Sequence, residues 1–166
     1  MFTIRAATGD KFEVAIPIQR VREFFTDTRN FVELMPNVES IHAAPDGSMR
    51  WTIRAEIPIV GAMRQSFNVE LSESSDERIE WRPKSGEREN LLRYAADFLE
   101  KGKGATLVQF SQNVELRRER AKDLHLLAGL AGETRVSQGM QWEVAGMIKK
   151  FVQKAKEKLD NPRCKA

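Results

Sequence analysis

Apolar and polar positions alternate through the first part of the chain. Phe12, Val14 and Ile16 alternate with Glu13 and Ala15, which makes 2–16 extended, with Gly9-Asp10 as a turn or bulge. Pro17 ends that strand because it has no N–H for the ladder. The period then changes. Ile18, Val21, Phe24 and Phe25 recur at helical spacing and predict a helix to about Asp27. A second short helix over 29–35 carries Phe31, Leu34 and Met35, and Pro36 stops it. Six strand-like segments follow, over 38–44, 49–57, 65–73, 78–82, 90–101 and 105–118. The separators are turn chemistry, such as Pro45-Asp46-Gly47, Ser74-Ser75-Asp76 and Gly102-Lys103-Gly104. Connections this short imply antiparallel pairing.

The alternation also assigns a dry face. Met49, Trp51, Ile53, Ala55 and Ile57 share one side of their strand, as do Phe67, Val69 and Leu71 in the next. Val108, Phe110, Val114 and Leu116 share theirs with Gln112. Such strands are half-buried and need a cover. Val136, Met140, Val144, Met147, Phe151 and Ala155 form a narrow stripe, bordered by Ile148 and Leu159, that predicts a long helix from about Thr134 to Leu159. That helix is the element able to close the dry face. The expected class is α+β: a curved antiparallel sheet, two short helices and a long C-terminal helix, with no repeat or linker marking a second domain in 1–166.

Three segments carry a family resemblance. Pro17 to Asp27, continuing through Phe31-Val32-Glu33-Leu34-Met35-Pro36-Asn37-Val38, is similar to the opening of the START-like or SRPBCC superfamily. Ile59-Val60-Gly61-Ala62-Met63-Arg64-Gln65-Ser66-Phe67 resembles a strand turn in its polyketide cyclase and carbon monoxide dehydrogenase CoxG branches. Gly104-Ala105-Thr106 resembles the start of the family's final strand. The resemblance spans about 12–159 and implies the helix-grip fold. It also implies an apolar cavity between sheet and long helix for a hydrophobic small molecule or lipid. Some members of the superfamily cyclise polyketides and many only bind.

Composition and charge narrow the chemistry. The 166 residues include one cysteine, Cys164, so no disulfide within the chain is possible and a cytoplasmic setting is expected. The opening residues lack a signal-peptide pattern, and no run is long and apolar enough to span a membrane. The segment 149–166 carries a net +5 and leaves −2 for the rest. Without interleaved aromatics this reads as the solvated end of a helix, and no nucleic-acid partner is expected. The two histidines, His42 and His125, have no ligand-spaced companions, so neither a metal nor another cofactor is expected.

The candidate ligand-binding residues are therefore inward-facing. Trp51, Ile53, Phe67, Val69, Trp81, Tyr94, Phe110 and Gln112 come from the sheet, and Met140, Val144 and Met147 from the helix. The same residues would also fill a closed core. Tyr94 and Gln112 sit on apolar faces, so each either makes a core hydrogen bond or orients a ligand. If the protein is instead a cyclase-like enzyme, Tyr94, His125 or Arg64 would act on the substrate.

One segment departs from the simple plan. The apolar insertion over 121–132 contributes Leu124, Leu127 and Leu130 as a lid or gate, with Gly129 and Gly132 as hinges. It either covers Trp142, gates the cavity, or presents a surface for a homo-oligomer, another protein or peripheral membrane contact.

Overall fold

The computed structural model describes residues 1–102 and 104–161. Lys103, Arg163, Cys164 and Lys165 lie outside the described residues. The elements are β1 (Phe2–Val14), α1 (Ile18–Thr26), α2 (Arg29–Leu34), β2 (Val38–Ala43), β3 (Met49–Ile57), β4 (Gly61–Ser74), β5 (Arg78–Pro83), β6 (Asn90–Glu100) and β7 (Thr106–Arg118). A 3-10 turn (Ala121–Asp123), α3 (Ala128–Ala131) and α4 (Glu133–Asp160) complete the chain. The seven strands form one antiparallel sheet in the order β1-β7-β6-β5-β4-β3-β2. Consecutive strands from β2 to β7 are neighbours, as short turns dictate, and β1 returns to pair along β7 from Phe2↔Arg118 to Val14↔Thr106. The long helix lies on the dry face. This is the helix-grip architecture.

Burial on α4 follows the stripe read from the sequence. Val136, Met140, Val144, Met147, Phe151 and Ala155 are all buried, with Ile148 and Leu159 beside them. The strand faces behave similarly except at Leu71, which is 48% exposed. There β4 carries an irregularity between Leu71 and Glu73, and the dry face ends at Val69.

The free edge of β1 is served by α4 side chains. The backbone N–H groups of Thr3, Arg5 and Ala7 donate to Glu133 Oε1, Ser137 Oγ and Gln141 Oε1, and Gln141 Nε2 donates back to the Ala7 carbonyl at 2.7 Å. The two spacings match. Four helical residues rise about 6 Å and two strand residues about 6.7 Å, so one helix face keeps step with alternate strand amides. An unprotected strand edge is a template for pairing with another chain. Replacing Glu133, Ser137 and Gln141 together with alanine is expected to raise self-association in light scattering. The Thr3, Arg5 and Ala7 amides should also lose hydrogen-exchange protection.

Two glycines of α4 make opposite predictions. A Cβ on Gly139 would lie 3.0 Å from Pro58 Cδ and 3.1 Å from Ile57 Cγ2, so glycine lets the β3–β4 turn press against the helix. Nothing lies within 4 Å of a Cβ on Gly146. A helical glycine is roughly 0.5–1 kcal/mol less stable than alanine. Gly146→Ala should therefore raise the thermal midpoint, and Gly139→Ala should lower it by pushing the turn away. Two rising midpoints would contradict the tight seat at Gly139.

Candidate functional site

The interior of the sheet divides into two halves with different fillings. One is aromatic. Phe151 of α4 stacks on Phe31 of α2 at 5.2 Å between ring centroids and meets Phe110 of β7 at 5.3 Å. Phe31 also meets Trp51 at 5.3 Å, and Trp51 meets Tyr94 at 4.9 Å. The short helices exist to carry these rings inward, since Phe24, Phe25 and Phe31 are the buried aromatic residues of α1 and α2. Lys158 locks this end by donating to Asn30 Oδ1 at 2.8 Å and Glu33 at 3.1 Å, while Asn30 donates to the Phe24 carbonyl.

The other half is aliphatic and not fully closed. Ile53, Ala55 and Ile57 of β3, Met63, Gln65 and Phe67 of β4, and Gln112, Val114 and Leu116 of β7 face Met140, Val144 and Met147 of α4 around a cavity of about 40 Å³. That volume holds a few waters at most, against the roughly 300–1,000 Å³ typical of small-molecule sites. The wall is adaptable, however, because Met63, Met140 and Met147 line it. Unbranched methionine side chains change rotamer at little energetic expense. Met147 also lines a surface groove of about 620 Å³ with Trp142, Glu56, Gly146 and Lys150. It thus stands between the cavity and that groove.

Of the residues singled out in the sequence, Ile53, Phe67, Gln112, Met140, Val144 and Met147 come together around the cavity. Trp51, Tyr94 and Phe110 sit in the aromatic half, where Trp81 is half-buried and stacks on Tyr94 at 6.3 Å. Val69 is fully buried in the core beside them. Ala55, Ile57, Met63, Gln65, Val114 and Leu116 complete the wall without having been singled out as ligand-binding. Four of the six share an alternation face already evident in the sequence. Gln65 and Met63 required β4 to start at Gly61.

The insertion does not roof this cavity. Leu124 packs partly against the core, while Leu127 is 41% and Leu130 85% exposed, and neither lines the cavity. Nor does it cover Trp142, which remains 72% exposed, so that reading of the segment is corrected. The insertion folds as two single turns too short to reach along α4.

The polar atoms in the interior are few. Gln112 is 1% exposed, and neither its Oε1 nor its Nε2 has a hydrogen-bond partner among the described residues. It lies directly across from Tyr94 in the β6–β7 register. The Tyr94 hydroxyl and the Trp51 indole N–H are likewise buried without a partner of normal geometry. Burial pushes the Tyr94 phenol far above its ordinary range, and the neighbouring Trp51 N–H offsets this only slightly. Tyr94 is the one tyrosine in the sequence, so phenolate absorbance reports it alone. Its neutral form is favoured in the folded state, so its contribution is intact below about pH 10 and is lost as pH rises beyond that. Phenolate absorbance should therefore appear only as the protein unfolds, and Tyr94→Phe should flatten the alkaline loss of stability.

The residues considered for catalysis are dispersed. Arg64 is on the outer face of β4, paired with Glu39 at 2.8 and 2.9 Å. His125 is in the insertion, where its Nδ1 accepts from the Leu127 N–H at 3.1 Å. Neither lines the cavity or meets Tyr94. Among the described residues no cluster of His, Cys, Asp or Glu is placed to hold a metal ion.

A curved antiparallel sheet gripping a long helix around an apolar interior defines a helix-grip protein of the START-like (SRPBCC) superfamily. The chain belongs to the carbon monoxide dehydrogenase CoxG family, whose sequence profile matches residues 10–160. Several solved structures share the fold. DR_A0006 from Deinococcus radiodurans is 18% identical with a TM-score of 0.60, covering 93% of this chain and 98% of that one. The Zhui aromatase/cyclase from Streptomyces sp. R1128 is 10% identical with a TM-score of 0.59, covering 93% of this chain and 95% of its own. The di-domain ARO/CYC BexL from the BE-7585A biosynthetic pathway is 16% identical with a TM-score of 0.67, covering 95% of this chain and 51% of that one. At these identities the likeness is one of fold. No curated protein matches the sequence. Among the described residues no helix is long and apolar enough to cross a membrane.

Proposed function

We propose that this protein binds a hydrophobic small molecule or lipid between the sheet and α4, with Gln112 as the polar anchor inside an otherwise apolar wall. The observation that carries the reading is the unpaired Gln112 amide. A buried polar group without a partner costs about 1–3 kcal/mol, and native proteins rarely leave one unsatisfied. A ligand bearing a hydroxyl or carbonyl would meet that amide while its apolar body displaced Met63, Met140 and Met147. The cavity is small in this conformation because those three side chains occupy it, and their flexibility supplies the room. The superfamily supports the same reading, since its members bind or transform hydrophobic molecules in this part of the fold.

Native mass spectrometry after gentle purification tests the proposal. Wild-type protein should carry an apolar adduct that is lost in Val144→Trp, whose indole fills the cavity. An adduct retained at the wild-type level by a folded Val144→Trp protein would exclude this cavity as the site.

A further inference from the structure

The inward-facing row of β7 does not end at the cavity. It runs Phe110, Gln112, Val114, Leu116 and then Arg118, whose side chain is only 11% exposed. The Arg118 guanidinium is held entirely by neutral oxygens at short range. NH1 donates to the Arg117 carbonyl at 2.7 Å and to the Glu89 carbonyl at 3.4 Å. NH2 donates to Asn90 Oδ1 at 2.8 Å and to Gln65 Oε1 at 3.0 Å. The carboxylate paired with it, that of Glu89, stands at 4.0 Å on a side chain that is 72% exposed.

Arg78 supplies the contrast within the same sheet. It is more exposed, at 32%, yet it is met by Glu73, Glu80 and Asp97, with Asp97 at 2.7 Å. A cation as buried as Arg118 is ordinarily matched by a close carboxylate, because taking a charge out of water is expensive. Here the charge is left to amide and carbonyl dipoles. One of those dipoles, Gln65, also belongs to the cavity wall together with Leu116, two residues before Arg118. The guanidinium therefore sits one hydrogen bond behind the cavity.

Resting on the cavity-binding reading above, we infer that Arg118, with Gln65 and Asn90, is a head-group subsite and that the ligand is an elongated apolar molecule ending in an anion. A carboxylate or phosphate oxygen accepts from a guanidinium through a charge-assisted bond roughly twice as strong as a neutral one. It would therefore displace the Gln65 amide oxygen by a side-chain rotation. Along β7 the six residues from Gln112 to Arg118 span about 20 Å. The site thus takes a molecule whose apolar body fills the wall between them, with its anion at Arg118.

The two anion sources and the neutral alternative separate in one calorimetric titration series using decanoate, decyl phosphate and 1-decanol at pH 8. Wild-type protein should bind decanoate or decyl phosphate at least about tenfold more tightly than 1-decanol, a difference of about 1.4 kcal/mol. Preference between the two anions tells which oxygen geometry the site takes. In Arg118→Gln the preference should fall to near parity with 1-decanol binding retained, and Arg118→Lys should keep part of it. Equal affinity for the anions and 1-decanol in the wild type overturns the subsite and leaves the cavity reading standing. Binding of none of the three overturns both. The wild-type comparison decides the matter even if a variant fails to fold.

Discussion

Replacing Gln112 with leucine should stabilise the ligand-free protein by about 1–3 kcal/mol and remove its apolar adduct. Leucine has nearly the volume of glutamine and no polar atoms, so it keeps the wall filled and deletes the unmet donor and acceptor. The gain would appear as a higher urea midpoint at an unchanged slope, since the surface exposed on unfolding stays the same. Few substitutions at a fully buried position stabilise a protein, because most disturb packing. A gain here would mark Gln112 as a residue kept for binding at the expense of stability. A loss of about 1 kcal/mol or more, on the order expected for removing a made hydrogen bond, would mean that the amide is satisfied in the folded state.

The opposite sign is expected across the boundary of the cavity. Phe151→Ala should cost about 3–5 kcal/mol, read from the same urea titration. Phe151 is fully buried and its ring meets Phe24, Phe25, Phe31 and Phe110, so it joins α4 to both short helices and to β7. Those neighbours are themselves packed rings held by several elements and cannot collapse into the space. A loss well under about 2 kcal/mol, below the usual range for such a truncation, would mean that this half is loosely packed and could itself admit a ligand.

The contrast between these two positions shows how far the sequence was readable. Period-two alternation placed Trp51, Ile53, Phe67, Phe110 and Gln112 on one face, and helical period placed Met140, Val144, Met147 and Phe151 on the other. Both patterns report only which side of an element is dry. They carry no information on which residues meet across the interior. That depends on sheet curvature and on where α1 and α2 insert Phe24, Phe25 and Phe31. Trp51, Tyr94 and Phe110 consequently fall in the aromatic half, although alternation gives them the same standing as Ile53 and Gln112.

Arg118 escaped notice for a related reason. A basic residue at a strand end ordinarily reads as solvated, and its burial comes from Asn90 and Gln65 on two other strands. The insertion illustrates the converse. Its leucines have the composition of a lid, but Gly129 and Gly132 break it into short turns, and Leu126 and Leu130 stay 82% and 85% exposed. The edge ladder of Glu133, Ser137 and Gln141 was present in the sequence as a four-residue spacing. It became meaningful only once β1 was known to run alongside α4.

The central claim is that an apolar ligand enters between the sheet and α4 and meets Gln112. Side-chain amide and methionine methyl NMR during a decanoate titration tests it most directly. The account predicts that the Gln112 amide protons and the Met140 and Met147 methyl signals shift together and saturate with one ligand per chain. Shifts confined to Trp142, Leu126 and Leu130, with the Gln112 amide unmoved, would place binding on the surface and contradict it.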